Sequence, residues 1–308
     1  MKIPPPIISV IVTTFNRKYY LKRLIESIVK QTFQSFELLI IDGHSNYDFF
    51  SFINSFNDDR IIPFQNKDNG IIAVNRNFGI KKSKGKYIAF CDDDDFWDHN
   101  KLKIQLDLFS DEKNVGMCHT NTYLIDEKNN LTLTDKKAVN SDDVFNMLLN
   151  RNFVTFSSIM VKRKIIENNT IRFPNDLQVV EDWYFILLIT KSCRIHYLDQ
   201  RLTYYQVHEK NSSKNISLTF NKTMKALDKI KNKFDIPLFR INEAKYNHAI
   251  TCALYATNFL KLSQALLFLK TAALKSKKNV KSFLNIMILL FKILLKIPAF
   301  IKSNLLKL

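Results

Sequence analysis

Glycine is scarce in this chain, with five residues among 308, at positions 43, 70, 79, 85 and 116. No two of them form Gly-x-Gly. That excludes the P-loop and the dinucleotide fingerprint, which both wrap phosphates with closely spaced glycines. It also counts against a sugar nucleotidyltransferase, which needs a glycine-rich phosphate loop after its first strand. Cysteine is equally sparse. Cys91, Cys118, Cys193 and Cys252 make no Cys-x-x-Cys pair, so neither a disulfide framework nor a zinc knuckle is indicated, and a reducing cytosol fits. The N-terminus reads MKIPPPIISVIVTTFN. It has no apolar region followed by a cleavage site, so no signal peptide is expected. Acidic residues are nearly missing from one end: residues 221–308 hold 17 Lys/Arg and 3 Asp/Glu, which is +14 of the formal +17. The basic excess therefore belongs to the C-terminal part. Such a tail can meet nucleic acid or an anionic membrane surface, and composition does not choose between them.

What is present is a large apolar fraction, 46% of the chain, enough for a catalytic domain of ordinary size plus a smaller appendage. Ile7–Val12, Phe36–Ile41 and Tyr87–Cys91 are apolar runs of strand length, and Arg60–Phe64 reads as a shorter strand. Between them, Leu21, Leu24, Ile25, Ile28 and Val29 recur at helical spacing, and Ala73–Lys82 is helix-like. Residues 98–109 and Val179–Ile189 also read as helices, and Leu218–Ala273 is helical and basic. Residues 112–160 alternate short strand-like runs with polar turns. Strand–helix alternation with short connections predicts βαβ units and a mostly parallel sheet. In such sheets ligands sit beyond the carboxyl ends of the strands. Three of those ends are polar here: Thr13-Thr14, Asp42 and Asp92–Asp95. All three should open onto one edge.

Asp92-Asp93-Asp94-Asp95 is the informative motif. Two like charges about 4 Å apart at an effective dielectric near 20 repel by roughly 4 kcal/mol. Four carboxylates at the end of a buried strand are tolerated if a cation neutralises them, and oxygen ligands select a hard divalent ion such as Mg2+ or Mn2+. The plainer alternative is a helix N-cap with acidic neighbours. A calcium-binding EF-hand loop is excluded, because Trp97 falls where the loop needs glycine.

ISVIVTTFNR, FELLIIDGHS, NGIIAVNRNFGIKKSKGKYIAFCDDDDFWDHNKLKIQ, VVEDW and TYYQVHEKNSS occur in that order. Together they closely resemble family 2 glycosyltransferases of the GT-A fold, over about residues 7–213. The resemblance implies a Rossmann-like α/β domain over residues 1–215, with a mostly parallel central sheet flanked by helices. It implies an inverting transfer from a nucleotide diphosphate sugar to an acceptor hydroxyl, in bacterial surface-polysaccharide or lipopolysaccharide assembly. Thr13 and Asp42 then hold the base, with uracil favoured, and Arg76 reaches base or phosphates. Asp92, Asp93 and Asp94 contact the donor, and Asp92 and Asp94 also ligate Mn2+ or Mg2+. Asp95 supports the loop, and Trp97 packs. Of Glu181 and Asp182, Asp182 is the base. His208 matches a histidine that ligates the metal in some relatives. Two departures stand out: Gly43 follows Asp42 where a second acid is common, leaving Asp48 as a weak helper, and Asn75 replaces a small residue.

The remainder reads as a helical extension over 216–278 and a basic amphipathic helix over 279–308. Its longest uncharged stretch, Ser282–Phe291, is far short of the roughly 20 residues that cross a bilayer. Lys281, Asn285, Lys292 and Lys296 share one stripe opposite a broad Leu/Ile/Phe face, a pattern for a helix lying in the membrane interface. Packing on the catalytic domain or on a second subunit is the alternative. The expected setting is cytoplasmic, peripheral on the inner face of the membrane, with a glycan or lipid-linked acceptor. A nucleic-acid partner is not expected, because the aromatics lie within aliphatic runs and not on a polar basic face.

Overall fold

The computed structural model describes residues 5–66, 71–112, 114–133, 143–209, 211, 215–258, 262–275, 286 and 288–290. The chain divides into two compact units. One comprises Met1–Phe145 and Phe153–Asn211, the other Asn146–Asn152 and Ser212–Leu308. Apart from residues 286 and 288–290, the C-terminal amphipathic helix lies outside the described residues.

In chain order the strands are β1 (Ile8–Thr14), β2 (Phe36–Asp42), β3 (Ile61–Gln65), β4 (Tyr87–Asp92), β5 (Phe96–Trp97), β6 (Val115–Ile125), β7 (Leu131–Leu133), β8 (Met160–Lys162) and β9 (Arg194–Gln206). The helices are α1 (Lys18–Val29), α2 (Phe49–Asn54), α3 (Ile72–Lys82), α4 (Lys101–Asp111), α5 (Val144–Asn150), α6 (Arg163–Asn168), α7 (Glu181–Thr190), α8 (Ile216–Phe234), α9 (Leu238–Asn258) and α10 (Leu262–Lys275).

The sheet of the first unit runs β3-β2-β1-β4-β8-β6-β9-β5, with β7 on β6. Its β3-β2-β1-β4 half is parallel. Both faces of this half are covered, which is why β1 and β2 are buried at every position and read as unbroken apolar runs. Beyond β4 the sheet is mixed: β8 is antiparallel to both β4 and β6, and β9 is parallel to β6. Leu21, Leu24, Ile25 and Ile28 form the buried stripe of α1 in the same core as Val10, Val12, Leu38 and Ile40. Gly85 lets the turn before β4 press on β1. A Cβ there would lie 2.5 Å from the Ser9 backbone nitrogen.

Helices α8–α10 belong to the second unit. Its core is alanine-rich: Ala249, Ala253, Ala256, Ala265 and Ala272 are buried with Phe220, Phe268 and Leu269. Small side chains let helices approach closely. No helix among the described residues is long and apolar enough to cross a membrane.

Candidate active site

Register places the predicted residues. Thr14 pairs with Asp42 across β1–β2, and Thr13 pairs with Asp92 across β1–β4. The three polar strand ends therefore stand side by side at the carboxyl edge of the parallel half. Thr13 is buried there. Asp42 is fully buried: its Oδ2 accepts from the Ser45 backbone N–H at 2.8 Å and from Gln65 Nε2 at 3.0 Å, and its Oδ1 accepts from Ser45 Oγ at 2.5 Å. These bonds shape the turn; Oδ2 has both acceptor sites filled, and Oδ1 keeps one lone pair for a ligand. Asp48 instead caps α2, accepting from the backbone N–H and the Oγ of Ser51.

Each member of the acid loop has different partners. Asp92 Oδ1 accepts from Arg76 at 2.6 Å, and the side chain remains 29% exposed. Asp93 accepts from Thr14 Oγ1 at 2.8 Å and from Arg17 at 3.0 Å. Asp94 Oδ2 meets Arg17 at 2.7 Å and His208 Nε2 at 2.9 Å. Asp95 is fully buried; it accepts from Ser157 Oγ at 2.5 Å and from the Gln206 backbone N–H at 2.9 Å. Its backbone N–H also closes the turn onto the Asp92 carbonyl at 3.1 Å. Asp95 thus ties the loop to β9. Burial raises the pKa of Asp92 against the pull of Arg76. It pushes Asp93 up to about 7, against Arg17 and helped by Asp94. Asp95 is driven well above the carboxylate range by burial and by its neighbours Asp94 and Asp92.

Arg76 is the hinge of the site. It projects from α3, buried, with its guanidinium 4.1 Å from the Phe156 ring centre and 5.4 Å from that of Phe173. One nitrogen donates to Asp92 and another to Glu181 Oε1 at 2.9 Å. Burial disfavours its charge, yet Asp92 and Glu181 more than offset that and raise its pKa.

Glu181 and Asp182 open α7 after its N-cap Val180, and Val179 just before that cap adopts φ 70°. A β-branched residue in that region is strained and must be held by its surroundings. Glu181 Oε2 is buried and has no hydrogen-bond partner. Asp182 Oδ1 accepts from the Trp183 backbone N–H at 2.7 Å. Burial, then the Glu181 charge, push Asp182 up to about 7, with Arg76 opposing. His208 is buried just beyond β9, its ring stacked on Tyr20 at 5.3 Å.

Some residues at this site carried no assignment from the sequence. Arg17 pairs with Asp93 and Asp94, and Arg23 donates to the Asp94 carbonyl at 2.8 Å and to Gln206 Oε1 at 2.7 Å. Arg17 had a signal: it lies in the loop just after β1, at the ligand-facing edge. Ser157, which also accepts from the Asp92 backbone N–H at 3.0 Å, had none. Trp97 packs as expected, and its Nε1 donates to the Ser157 carbonyl at 2.8 Å.

Six carboxyl groups (Asp92–Asp95, Glu181, Asp182) thus face three guanidinium groups (Arg17, Arg23, Arg76). Oxygen donors with one imidazole suit a hard divalent cation. Among the described residues no three ligating side chains already converge on one point. Magnesium-type sites do not require that, because one or two carboxylates plus substrate phosphates and water complete them. Asp94 and Asp92, with His208 beside them, fit such a site.

Comparisons with known proteins bear on the family and the fold. The model of "Glycosyl transferase family 2" matches residues 9–170. An uncharacterized glycosyltransferase of Rickettsia bellii is 34% identical over 175 residues, 57% of this chain and 25% of that protein. This chain therefore spans about a quarter of that relative's length, and about a third of two further Rickettsia relatives. An Escherichia coli protein, the UDP-Glc:alpha-D-GlcNAc-diphosphoundecaprenol beta-1,3-glucosyltransferase WfaP, is 29% identical, covering 68% of this chain and 80% of its own. Residues 1–349 of S. aureus TarS, solved in complex with UDP-GlcNAc, share the fold. The TM-score is 0.63 at 19% identity, over 94% of this chain and 81% of that one. Glu181, Asp182 and His208 lie past the end of the family match, yet side-chain contacts join Glu181 and His208 to the acid loop within it. Since that match alone runs over more than half of the chain, the protein belongs to glycosyl transferase family 2.

Proposed function

We propose that this protein is an inverting glycosyltransferase. It moves a sugar from a nucleoside diphosphate, with uridine favoured, to a hydroxyl of a glycan or lipid-linked glycan. One observation carries the reading: Arg76 bridges Asp92 of the acid loop and Glu181 at 2.6 and 2.9 Å, and Asp182 is the next residue. A donor-holding loop and a candidate base are thereby locked in one frame. The UDP-GlcNAc bound by TarS and the UDP-glucose and diphosphoundecaprenol in the name of WfaP support the donor and acceptor classes.

The chemistry follows from the residues. Thr13 and Asp42 line the base end, and Arg76 fixes the orientation of Asp92. Asp182, titrating near 7, accepts the proton of the acceptor hydroxyl as its oxygen bonds to the anomeric carbon. The bond from that carbon to the diphosphate oxygen breaks on the opposite face, which inverts the centre. Asp94 and Asp92 with His208 would hold a divalent cation, which would supply charge neutralisation for the departing diphosphate. Glu181 Oε1 is taken by Arg76, so Glu181 positions and Asp182 reacts. The basic C-terminal segment suits the protein to a membrane surface carrying such an acceptor.

The test is turnover of a panel of sugar nucleotides with Mn2+, read as release of the nucleoside diphosphate. Turnover of a uridine sugar that chelator abolishes is the expected result. Release of nucleoside monophosphate, or full activity in chelator, counts against the reading.

A further inference from the structure

We propose that Arg17 is an exchangeable internal counter-cation. It competes with the divalent cation for Asp94, and it makes cation binding depend on the donor. This rests on the metal-dependent reading above.

The argument starts at one oxygen. Asp94 Oδ2 meets Arg17 at 2.7 Å and His208 Nε2 at 2.9 Å. A carboxylate oxygen has about two acceptor sites, and both are taken. A guanidinium and a metal ion cannot use the same lone pair, so a cation on Oδ2 must displace one of these partners, and a cation on Oδ1 of the same carboxylate still meets the repulsion of the adjacent Arg17 charge. His208, buried and stacked on Tyr20, stays at the site, where it would help to hold the cation. Arg17 is the freer of the two. Its side chain is 34% exposed, and it follows Asn16 in a loop with φ 55°. Arg76, by contrast, is 4% exposed and lies against Phe156. The acid loop therefore has one fixed cation on Asp92 and one movable cation on Asp93 and Asp94.

Displacement has a cost unless Arg17 finds another anion. A diphosphate bound at this edge supplies it, because the guanidinium fork matches phosphate oxygens as well as carboxylate oxygens. The donor then assists the metal, and by linkage the metal assists the donor equally. Without donor, Arg17 keeps the acids neutralised and holds the loop together.

The test is titration of Mn2+ alone, by calorimetry or electron paramagnetic resonance, into the full chain and into Arg17→Met, with and without UDP. Arg17→Met should bind Mn2+ alone about tenfold more tightly than wild type, a factor equivalent to one displaced charge-assisted contact. UDP should strengthen Mn2+ binding strongly in wild type and much less in the variant. Arg17→Lys, which keeps the charge without the fork, should fall between. A fall in the melting temperature of Arg17→Met in chelator that Mn2+ restores, unmatched in wild type, supports the same conclusion. Equal or weaker Mn2+ binding by folded Arg17→Met and Arg17→Lys overturns the inference. If wild type binds no Mn2+ even with UDP, the metal-dependent reading itself fails.

Discussion

Arg76→Met removes the buried cation that touches both halves of the site, and the structure sets the size of the effect. Methionine is unbranched and polarisable, so it can fill the slot beside Phe156 and Phe173 with little cavity. The loss is therefore electrostatic. Two contacts disappear, at 2.6 Å to Asp92 and 2.9 Å to Glu181. Glu181 is left buried with both oxygens unpaired, beside Asp182. Each such charge pair is worth about 4 kcal/mol at an effective dielectric near 20, offset by the desolvation of the arginine that is no longer needed. Removing one partner of a buried pair typically costs about 3–5 kcal/mol, against a total stability of about 5–15 kcal/mol for a domain. Urea denaturation in chelator near neutral pH, followed by far-UV circular dichroism, reads this as a lower midpoint. The pH dependence has a definite sign. Burial raises the pKa of Asp92 and of Asp182 against the pull of Arg76, so without Arg76 these two titrate higher still, above the unfolded reference of about 4. Between those values the folded state binds more protons, so stability falls as pH rises. The deficit should therefore shrink on acidification toward about pH 5. Glu181→Gln in the Arg76→Met background should recover about 1 kcal/mol or more, because the unpaired charge is gone. A deficit below about 1 kcal/mol that does not change with pH would refute the bridge as the electrostatic centre of the site.

Other outcomes follow from the same geometry. Asp182→Asn should lower turnover by about 10²–10⁴-fold while calorimetry finds UDP binding nearly unchanged; loss of both together would assign Asp182 to binding. Since a base must be ionised and Asp182 titrates at about 7, wild-type turnover should rise through about pH 7, and the residual rate of Asp182→Asn should not. Asp42→Ala strips Ser45 and Gln65 of their acceptor and should raise the donor KM more than it lowers kcat, measured by steady-state kinetics. Gly85→Ala forces a Cβ onto the Ser9 backbone and should cost at least about 1–3 kcal/mol, seen as a lower melting temperature with the metal response intact.

Periodicity determined the βαβ half of this protein, because burial on both faces of β1 and β2 writes unbroken apolar runs and α1 writes a stripe at 3.6-residue spacing. The acid loop was legible for a related reason: four adjacent carboxylates at a strand end have few physical explanations. Glu181, Asp182 and His208 were singled out only through resemblance, since one acidic pair or one histidine has many. Residues 194–206, by contrast, carry mixed polar and apolar positions. Their strand character comes from lying beside β6 in parallel, with register shifts near Asn121. The partner of each charge was likewise a tertiary decision. Arg76 meets Glu181 across 105 positions, Arg23 meets Gln206 across 183, and Ser157 meets Asp95 across 62. Local chemistry states that an acid needs a counter-charge or a donor. Only the folded chain, by bringing distant segments to one edge of the sheet, decides which residue supplies it.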